Sequence, residues 1–361
     1  MALIISYTTE TFRFGFKART SRGLMKDKLS WFITVLDDAH PDVTGVGECG
    51  PLPGLSTDDT PDFEATLKDV LAKLPGVVTL ADLQANPHPT LDNAVWQRIF
   101  AIVPPTFPSI RFGLETALLD LAHGGKKIIF QNEFLQGKPL PINGLIWMGD
   151  LDFMMHQVNE KVAQGFRCIK LKVGGLDFDR ECEILQYLRK RYFRENITLR
   201  LDANGAFKTG EVLFKLTELA RMNIHSIEQP IKPGLVEMEE LCRKSPISVA
   251  FDEELIGVED SSEKKALLSR LGPAFIILKP TLHGGLAGCA EWISIAESLG
   301  MGWWITSALE SNVGLNAICQ FTANYPVTIP QGLGTGAIYE NNVPSRLKVK
   351  GGEIFLEQSP V

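Results

Sequence analysis

Residues 197–228, ITLRLDANGAFKTGEVLFKLTELARMNIHSIE, decide the fold. An apolar run, Ile197–Asp202, is followed by an amphipathic helical pattern and then by a second apolar run, His225–Glu228. Short apolar runs that alternate with amphipathic helices predict parallel strands joined by helical crossovers. Both runs end in an acidic residue, so the two carboxylates are expected at the same edge of a parallel sheet.

The same alternation extends through most of the chain. The strand candidates are Ile142–Trp147, Cys168–Val173, Ile197–Asp202, His225–Glu228, Ser248–Asp252, Phe275–Lys279, Trp303–Ser307 and Val327–Gln331. Eight such strands predict an α/β fold whose sheet closes into a TIM-like barrel. The short chain after Gly336 is not expected to form an eighth outer helix. We therefore predict a (β/α)7β barrel over residues 109–336, which begins with a helix at Ser109–Ala122.

The N-terminal residues follow a different pattern. Strand-like runs at Ala2–Tyr7, Thr11–Phe16 and Leu29–Leu36 precede a Gly/Pro-rich loop, Gly45–Gly54, and a helical pattern at Thr60–Leu74. Together they predict an α+β domain over residues 1–108. Two strand-like segments of the C-terminal tail, Ser345–Val349 and Glu353–Leu356, are expected to return to this domain, which residues of about 337–361 would complete.

Composition and charge narrow the function. The net charge is −7, with 45% hydrophobic and 22% charged residues, which predicts a globular protein that binds neither nucleic acid nor an acidic membrane. A small anionic substrate remains compatible with a local cluster of cations. The N-terminus lacks the pattern of a signal peptide and no apolar run is long enough to span a membrane, so a cytoplasmic location is expected. The sequence does not determine the oligomeric state.

The six cysteines are scattered, without a CxxC pair. This distribution favours buried thiols in a reducing compartment over disulfides or a zinc site. The histidines show neither HxH nor HExxH spacing, which argues against a histidine metal site.

Three acidic residues come at the ends of consecutive predicted strands: Asp202, Glu228 and Asp252. Barrel enzymes place their active sites at this end of the strands. One such residue alone would most often cap a helix or form a surface ion pair. Three in the same register would repel one another unless they share a cation, and ligation by oxygen alone favours Mg²⁺, with Mn²⁺ second.

Lysines accompany these acids. Lys170 and Lys172 are two residues apart on one predicted strand, so both point to the same face, the barrel interior. Lys279 ends the sixth strand, across the barrel mouth. A lysine near a divalent cation and other amines can act as a base. The alternative is that these lysines extend out of the barrel end into solvent. It is disfavoured because two charges at successive inward positions would be costly without a partner.

These residues form a set that resembles the muconate-lactonising branch of the enolase superfamily. The set consists of Lys170-x-Lys172, Asp202-x-Asn204, Glu228-Gln-Pro230, Asp252-Glu253 and Lys279. The resemblance spans nearly the whole chain. It implies that the α+β domain caps the barrel, that Asp202, Glu228 and Asp252 bind Mg²⁺, and that a lysine removes the proton next to a substrate carboxylate.

Finer motifs resemble the o-succinylbenzoate synthase family. They are Asn143-Gly-Leu-Ile-Trp-Met148, the segment from Ser307 to Leu315, and Gln331-Gly-Leu-Gly-Thr-Gly336. That family eliminates water from 2-succinyl-6-hydroxy-2,4-cyclohexadiene-1-carboxylate in menaquinone biosynthesis. The resemblance implies that Lys172 is the base and that Lys279 faces the ring, with Lys170 and Arg200 as cationic support. Asn204 and Glu253 would orient metal ligands, with ordinary turn chemistry as an equal alternative.

The loops after strands seven and eight are expected to meet the succinyl group. The predicted contacts are Ser307, Ser311, Asn312, Gly334 and Thr335, whose hydroxyl, amide and backbone N–H groups can bind a carboxylate. Simple helix capping by Ser311 or Asn312 is an equal alternative. By resemblance, the loop from Lys17 to Gly23 closes over the site, where Arg22 could contact substrate, and Gly50–Gly54 forms a second closing loop.

Related activities share this chemistry. A dipeptide epimerase would commonly carry Asp-x-Asp after strand eight, where this chain has Gly332-Leu-Gly-Thr335. An N-succinylamino-acid racemase could use Lys172 and Lys279 as two bases, and a muconate cycloisomerase fits the loop motifs less well. A non-catalytic, metal-binding scaffold on the same fold is the alternative from another class.

Overall fold

The computed structural model describes residues 3–20 and 23–358. Its N-terminal part is an antiparallel sheet in the order β1 (Leu3–Thr20), β2 (Gly23–Asp37), β3 (His40–Cys49). Along β2, every second side chain from Trp31 to Val35 is buried, as expected for a sheet with one face on a core. The sequence predicted two short strands where β1 is continuous.

The segment read as the start of a Gly/Pro loop is instead the end of β3. Its glycines allow the strand to lie directly against helix α4 (Pro108–Ala122). A Cβ atom at Gly45 would lie 2.1 Å from the Ala117 carbonyl oxygen, and one at Gly47 would lie 1.9 Å from that of Gly113. These glycines therefore serve close packing of strand on helix rather than a turn.

In the part of the chain that the structure describes, three α-helices precede α4. They are α1 (Phe63–Lys73), α2 (Leu80–Ala85) and α3 (Ala94–Ala101). The helical pattern at Thr60–Leu74 predicted α1, whereas α2 and α3 were not predicted. Helix α4 is buried along most of its length and packs against both β3 and the barrel helix α10 (Gly285–Ser298), so it bridges the two parts of the molecule.

The rest of the chain is a curled parallel sheet with outer helices. The strands, in sheet order, are β11 (Gly302–Ile305), β10 (Phe275–Leu278), β9 (Ser248–Phe251), β8 (Ile224–Glu228), β7 (Thr198–Asp202), β6 (Cys168–Lys172) and β5 (Gly144–Ile146). The other outer helices are α5 (Leu151–Ala163), α6 (Phe178–Arg191), α7 (Val212–Ala220), α8 (Glu237–Lys244), α9 (Ser261–Leu271) and α11 (Asn312–Thr322). The predicted alternation of strands and helices is confirmed.

The predicted eighth strand at Val327–Gln331 is wrong as a regular strand. The sheet closes there through two isolated parallel bridges, Ile142 with Gln331 and Thr306 with Gly332. Gln331 joins the first and last strands: its backbone N–H donates to Pro141 O at 2.8 Å, and its side-chain oxygen accepts from Ile305 N at 2.7 Å. A side chain thus replaces one rung of the backbone ladder at this position.

In the described part of the tail, no helix follows α11, as predicted. Ile338 and Glu340 bond to the backbone of β1, so this stretch does return to the N-terminal sheet. The final pair, β12 (Leu347–Lys350) and β13 (Glu353–Leu356), instead forms a sheet with β4 (Leu140–Pro141) beside the first barrel strand. The tail therefore contacts the N-terminal sheet through residues 338–340 and the barrel side of the molecule through β12 and β13.

All six cysteines are free thiols, as predicted, and four of them are buried. Within residues 3–20 and 23–358, none of the helices is long and apolar enough to cross a membrane.

Candidate active site

The predicted acids and lysines meet at the carboxyl ends of neighbouring strands. In the sheet register, Lys172 of β6 lies opposite Asp202 of β7, and Asp202 lies opposite Glu228 of β8. Asp252 follows β9 and Lys279 follows β10. Because parallel strands in register end at one height, the chain brings these side chains to one end of the sheet.

The lysines and acids form two groups of buried ion pairs. Lys170 Nζ lies 3.0 Å from Asp202 Oδ2 and also contacts Glu228 Oε2. Lys172 Nζ lies 2.9 Å from Asp202 Oδ2, and Lys279 Nζ pairs with Asp252 Oδ2. Each of these side chains is at most 10% exposed. Both inward-facing lysines of β6 therefore have partners, which overturns the alternative in which they extend into solvent.

The electrostatics of the cluster follow from burial and mutual charge. Burial alone would lower the pKa of Lys170 and of Lys279, but Asp202 and Asp252 respectively, with Glu228, raise both above the usual lysine range. Lys170 and Lys172 hold the pKa of Asp202 below its usual range despite burial. Burial and then the Asp202 charge raise the pKa of Glu228. The cluster therefore has one carboxylate that the lysines do not fully compensate.

The donor set fits a hard divalent cation. Among the described residues, no three acidic, histidine or cysteine side chains already surround a common point, because each acid turns towards a lysine. Glu228 Oε1 and Asp252 Oδ1 are nevertheless buried without a hydrogen-bond partner. Buried carboxylate oxygens of this kind are what Mg²⁺ ligation would satisfy.

Asn204 links the lysine to a second acid. Its Oδ1 accepts from Lys172 Nζ at 2.6 Å, and its Nδ2 donates to Glu253 Oε1 at 2.9 Å. Its backbone has φ +43°, a left-handed conformation that asparagine tolerates better than most residues. The backbone N–H also donates to Asp202 Oδ1 at 3.0 Å. Asn204 thus orients both the lysine and the acid beside it.

Arg200 lies deeper in the barrel. Its guanidinium stacks on Trp304 at 4.0 Å from the ring centroid and donates to Pro330 O at 2.7 Å. Burial lowers its pKa, and the Glu228 charge acts in the opposite direction. Arg200 lies opposite Lys170 in the register of β6 and β7 and is not among the residues that line the cavity.

A cavity opens above the cluster. Its lining residues are Met25, Leu52, Asn143, Leu145, Trp147, Lys170, Lys172, Asp202, Asn204, Glu228, Lys279, Thr306, Ser307, Ala308, Leu309, Gly332, Gly334 and Thr335. Met25 and Leu52 come from the N-terminal domain, so that domain covers the barrel mouth. A charged floor under an apolar roof suits an anionic group attached to a hydrocarbon ring.

The predicted substrate contacts separate into two groups. Ser307, Gly334 and Thr335 line the cavity. Ser311 and Asn312 do not: Ser311 Oγ donates to Glu48 Oε2 at 2.6 Å, and Asn312 donates to Asn342 and to Val343 O. These two residues join helix α11 to other segments, as the helix-capping alternative allows. Arg22 lies outside the described residues.

Sequence reasoning missed several residues of the site. Asn143 and Thr306 line the cavity, and Asn143 Oδ1 and Thr306 Oγ1 are buried without a partner. His283 is fully buried behind Lys279, and its Nδ1 accepts from the Lys279 backbone N–H at 2.9 Å. Asn143 is the first residue of the motif Asn143–Met148, and Thr306 directly precedes the segment Ser307–Leu315. These positions in the sequence could have identified both residues as part of the site.

This chain is similar in sequence and in fold to proteins of known activity. A model of the enolase C-terminal domain-like family matches residues 154–360. The o-succinylbenzoate synthase of Desulfotalea psychrophila is 42% identical, over 96% of this chain and 97% of that protein. The chain belongs to the o-succinylbenzoate synthase family. Members of this family are hydro-lyases, and the enolase superfamily branch predicted from the motifs is confirmed.

Other relatives agree with this assignment. The o-succinylbenzoate synthase of Haemophilus influenzae is 26% identical over 83% of this chain and 80% of its own length. The crystal structure of MenC from Desulfotalea psychrophila matches 98% of this chain and all of that chain, with a TM-score of 0.85 and 38% identity. The capped-barrel fold of the o-succinylbenzoate synthase family is therefore the fold of this chain.

A more distant structure shares the fold alone. The dipeptide epimerase from Cytophaga hutchinsonii, solved in complex with Mg and the dipeptide D-Ala-L-Val, is 20% identical over 99% of this chain and 94% of its own, with a TM-score of 0.80.

Proposed function

We propose that this chain carries out the o-succinylbenzoate synthase reaction with Lys172 as the base. In that reaction, 2-succinyl-6-hydroxy-2,4-cyclohexadiene-1-carboxylate loses water and becomes the aromatic 2-succinylbenzoate. The single observation that carries the proposal is the convergence of Lys172, Lys279 and the acid cluster on one covered cavity. The family relationship supports the choice of substrate.

Asp202, Glu228 and Asp252 would hold the metal, for which Mg²⁺ is the natural choice and Mn²⁺ the second. The unpaired oxygens of Glu228 and Asp252 and the hard donor chemistry of all three carboxylates support this assignment. The chemistry supplied by bound Mg²⁺ is stabilisation of the negative charge that develops on the substrate carboxylate. A bound cation would also compensate the charge that the lysines leave uncompensated on Glu228.

Lys172 would take the proton. In its amine form, it removes the proton from the ring carbon that bears the carboxylate, and the electron pair of that C–H bond moves towards the carboxylate. It then returns the proton to the hydroxyl at the adjacent carbon, on the same face of the ring. The C–O bond breaks, water leaves and the ring becomes aromatic. Asn204 supports this role because it fixes the position of Lys172 Nζ.

Lys279 would act from the opposite side of the ring. Its ammonium, held by Asp252, provides positive charge that favours the electron-rich intermediate without transfer of a proton. Lys170 would hold Asp202 and Glu228 in place and add to the local positive charge. Leu145, Trp147 and Leu309 would exclude water from the ring, with Leu52 of the capping domain above them.

The succinyl group would meet the wall formed by Ser307, Gly334 and Thr335. This assignment is supported by their place on the cavity lining. Thr306 Oγ1, which is buried without a partner on the same lining, would provide a further hydroxyl donor to this group.

The decisive experiment measures formation of the aromatic product by ultraviolet absorbance, with and without Mg²⁺. Wild type should be active only with the metal. Lys172→Ala should lose at least about a hundredfold in kcat, the range expected for a general base, with an unchanged melting temperature. Lys350→Ala, an exposed lysine on β12, is the matched control and should behave as wild type.

Two outcomes would contradict the proposal. Equal activity of Lys172→Ala and wild type would exclude Lys172 as the base. An inert wild type that racemises N-succinyl amino acids would favour the racemase, a reaction for which Lys172 and Lys279 on opposite sides of the cavity are also suited.

A further inference from the structure

Glu310 is a fully buried carboxylate for which the proposed reaction has no use. It lies in the loop between β11 and α11. Its Oε1 accepts from Thr281 Oγ1, and its Oε2 accepts from Ser307 Oγ at 2.6 Å. Thr281 follows Lys279 by two residues, and Ser307 lines the substrate cavity. Glu310 therefore connects the segment that follows Lys279 to the segment that carries Ser307 of the cavity lining.

The Ser307 hydroxyl is fully committed. Its proton goes to Glu310, while its oxygen accepts from Thr335 Oγ1 at 2.9 Å and from Leu309 N at 3.0 Å. A hydroxyl has one donor and two acceptor sites, so none remains for a substrate. Ser307 thus shapes the cavity wall through its neighbours rather than through its own hydroxyl.

The adjoining Leu309 is strained. Its φ is +64°, a conformation that leucine adopts at a cost and that surrounding contacts must maintain. Tyr339 OH donates to Leu309 O at 2.6 Å, and Ser307 Oγ accepts from its N–H. Because Glu310 fixes Ser307, it also helps to hold Leu309 against the cavity.

A buried lysine of the capping domain lies beside Glu48, whose other carboxylate oxygen and Glu310 both lie close to Gly314. Lys28 of β2 is only 1% exposed. A Cβ atom at Gly50 would lie 2.4 Å from Lys28 Nζ, 3.2 Å from Ser30 Oγ and 3.5 Å from Glu48 Oε1, so these groups converge at Gly50. Burial raises the pKa of Glu310, and the Lys28 charge is the largest influence that lowers it.

Glu48 connects the end of β3 to the start of helix α11 through hydrogen bonds. It is fully buried at the end of β3 and accepts from Ser30 Oγ, Ser311 N, Ser311 Oγ and Gly314 N, at 2.6 to 3.0 Å. Two of these donors are backbone N–H groups at the start of α11. The capping domain thus caps a barrel helix and carries Lys28 to the vicinity of Glu310.

We propose that Glu310 is a positioning residue for substrate binding, that it sets the wall formed by Ser307, Leu309 and Thr335, and that the buried Lys28 of the capping domain supports it in this role. The inference rests on the proposed function, because the wall is assigned there to the succinyl group. It makes the N-terminal sheet a part of substrate recognition through a buried charge, in addition to its role as a cover.

The test is a double-mutant cycle with steady-state kinetics on the cyclohexadiene substrate at saturating Mg²⁺. Glu310→Gln should raise KM by about tenfold or more, the effect expected for loss of a charged hydrogen-bond acceptor, and should change kcat by less than about threefold. Lys28→Met should raise KM in the same way. The double variant should be no worse than the poorer single variant, because Lys28 is proposed to act on the wall through Glu310.

Two further variants keep the test informative. Thr281→Val removes one donor to Glu310 with little change of shape and should give a smaller rise in KM, even if Glu310→Gln folds poorly. Glu353→Gln, an exposed glutamate of β13, is the matched control and should have no effect.

The inference is overturned if kcat falls while KM stays constant, if KM is unchanged in both Glu310→Gln and Thr281→Val, or if the Lys28 and Glu310 effects multiply. Any of these results with an active wild type leaves the proposed function intact. An inactive wild type instead removes the proposed function and this inference with it.

Discussion

At the residue scale, the site depends on neutralisation of acids by lysines. Asp202 contacts both Lys170 and Lys172, whereas Glu228 and Asp252 each keep one buried oxygen without a partner. Sequence spacing alone predicted that these side chains meet. It did not predict which lysine pairs with which acid, because that depends on side-chain conformations inside the barrel.

Asp202→Asn should weaken metal binding before it affects the fold. The amide is a poorer ligand for a hard cation than the carboxylate, and its NH₂ would face the ammonium groups of Lys170 and Lys172. Titration calorimetry should show at least a tenfold higher Kd for Mg²⁺, on the order of one lost charged contact. An unchanged Kd would remove Asp202 from the set of metal ligands.

Asp58 gives the fold a pH dependence. Its Oδ2 accepts from Ser109 N and Oγ at the start of α4, and burial raises its pKa to about 6. The folded state therefore binds a proton more tightly than the unfolded state, whose value is near 3.8. The stabilisation from this proton is complete below pH 4 and is lost as pH rises through 6.

This effect is measurable with Asp58→Asn, which cannot titrate. The free energy of unfolding of wild type minus that of the variant should fall by up to about 3 kcal/mol between pH 4 and pH 7. Urea titrations at several pH values would provide both quantities. A difference that is constant with pH would show that Asp58 has an ordinary pKa in the folded protein.

At the element scale, the regular pattern of strand and helix was predictable because burial imposes it on the sequence. The ends of strands β6 to β10 were located within a residue or two, and with them the active site. Helices α2 and α3 were missed because they are short. Strand β3 was missed because its glycines look like a turn, while the reason for them lies in the distant helix α4.

Gly47→Ala should test this packing. The new methyl group would lie 1.9 Å from Gly113 O, so β3 and α4 would have to separate. We expect a loss of about 1–3 kcal/mol in the free energy of unfolding, typical of an overpacked core. Gly210→Ala, where a Cβ meets nothing within 4 Å, is the matched control for urea denaturation. Equal stability of the two variants would show that β3 and α4 can separate without a measurable loss of stability.

At the scale of the whole molecule, the capping domain and the barrel share one functional unit. A hydrophobic cluster that includes Phe12, Leu52, Trp147 and Tyr339 draws on the N-terminal sheet, the barrel and the tail. Glu48 adds buried hydrogen bonds between the same parts. Sequence motifs could not predict these contacts, since residues 48 and 311 are far apart in the chain and carry no shared pattern.

The barrel has a seam where Gln331 takes the place of an eighth strand. Only isolated bridges join the first and last strands there, so fewer hydrogen bonds must break for the wall to part. In native-state hydrogen exchange, the amides of Asn143, Ile305 and Gln331 should lose protection at lower denaturant than those of β7 and β8. Slower exchange at the seam than in β7 would contradict this. Local unfolding of the folded barrel should therefore start where Gln331 completes the ring of strands.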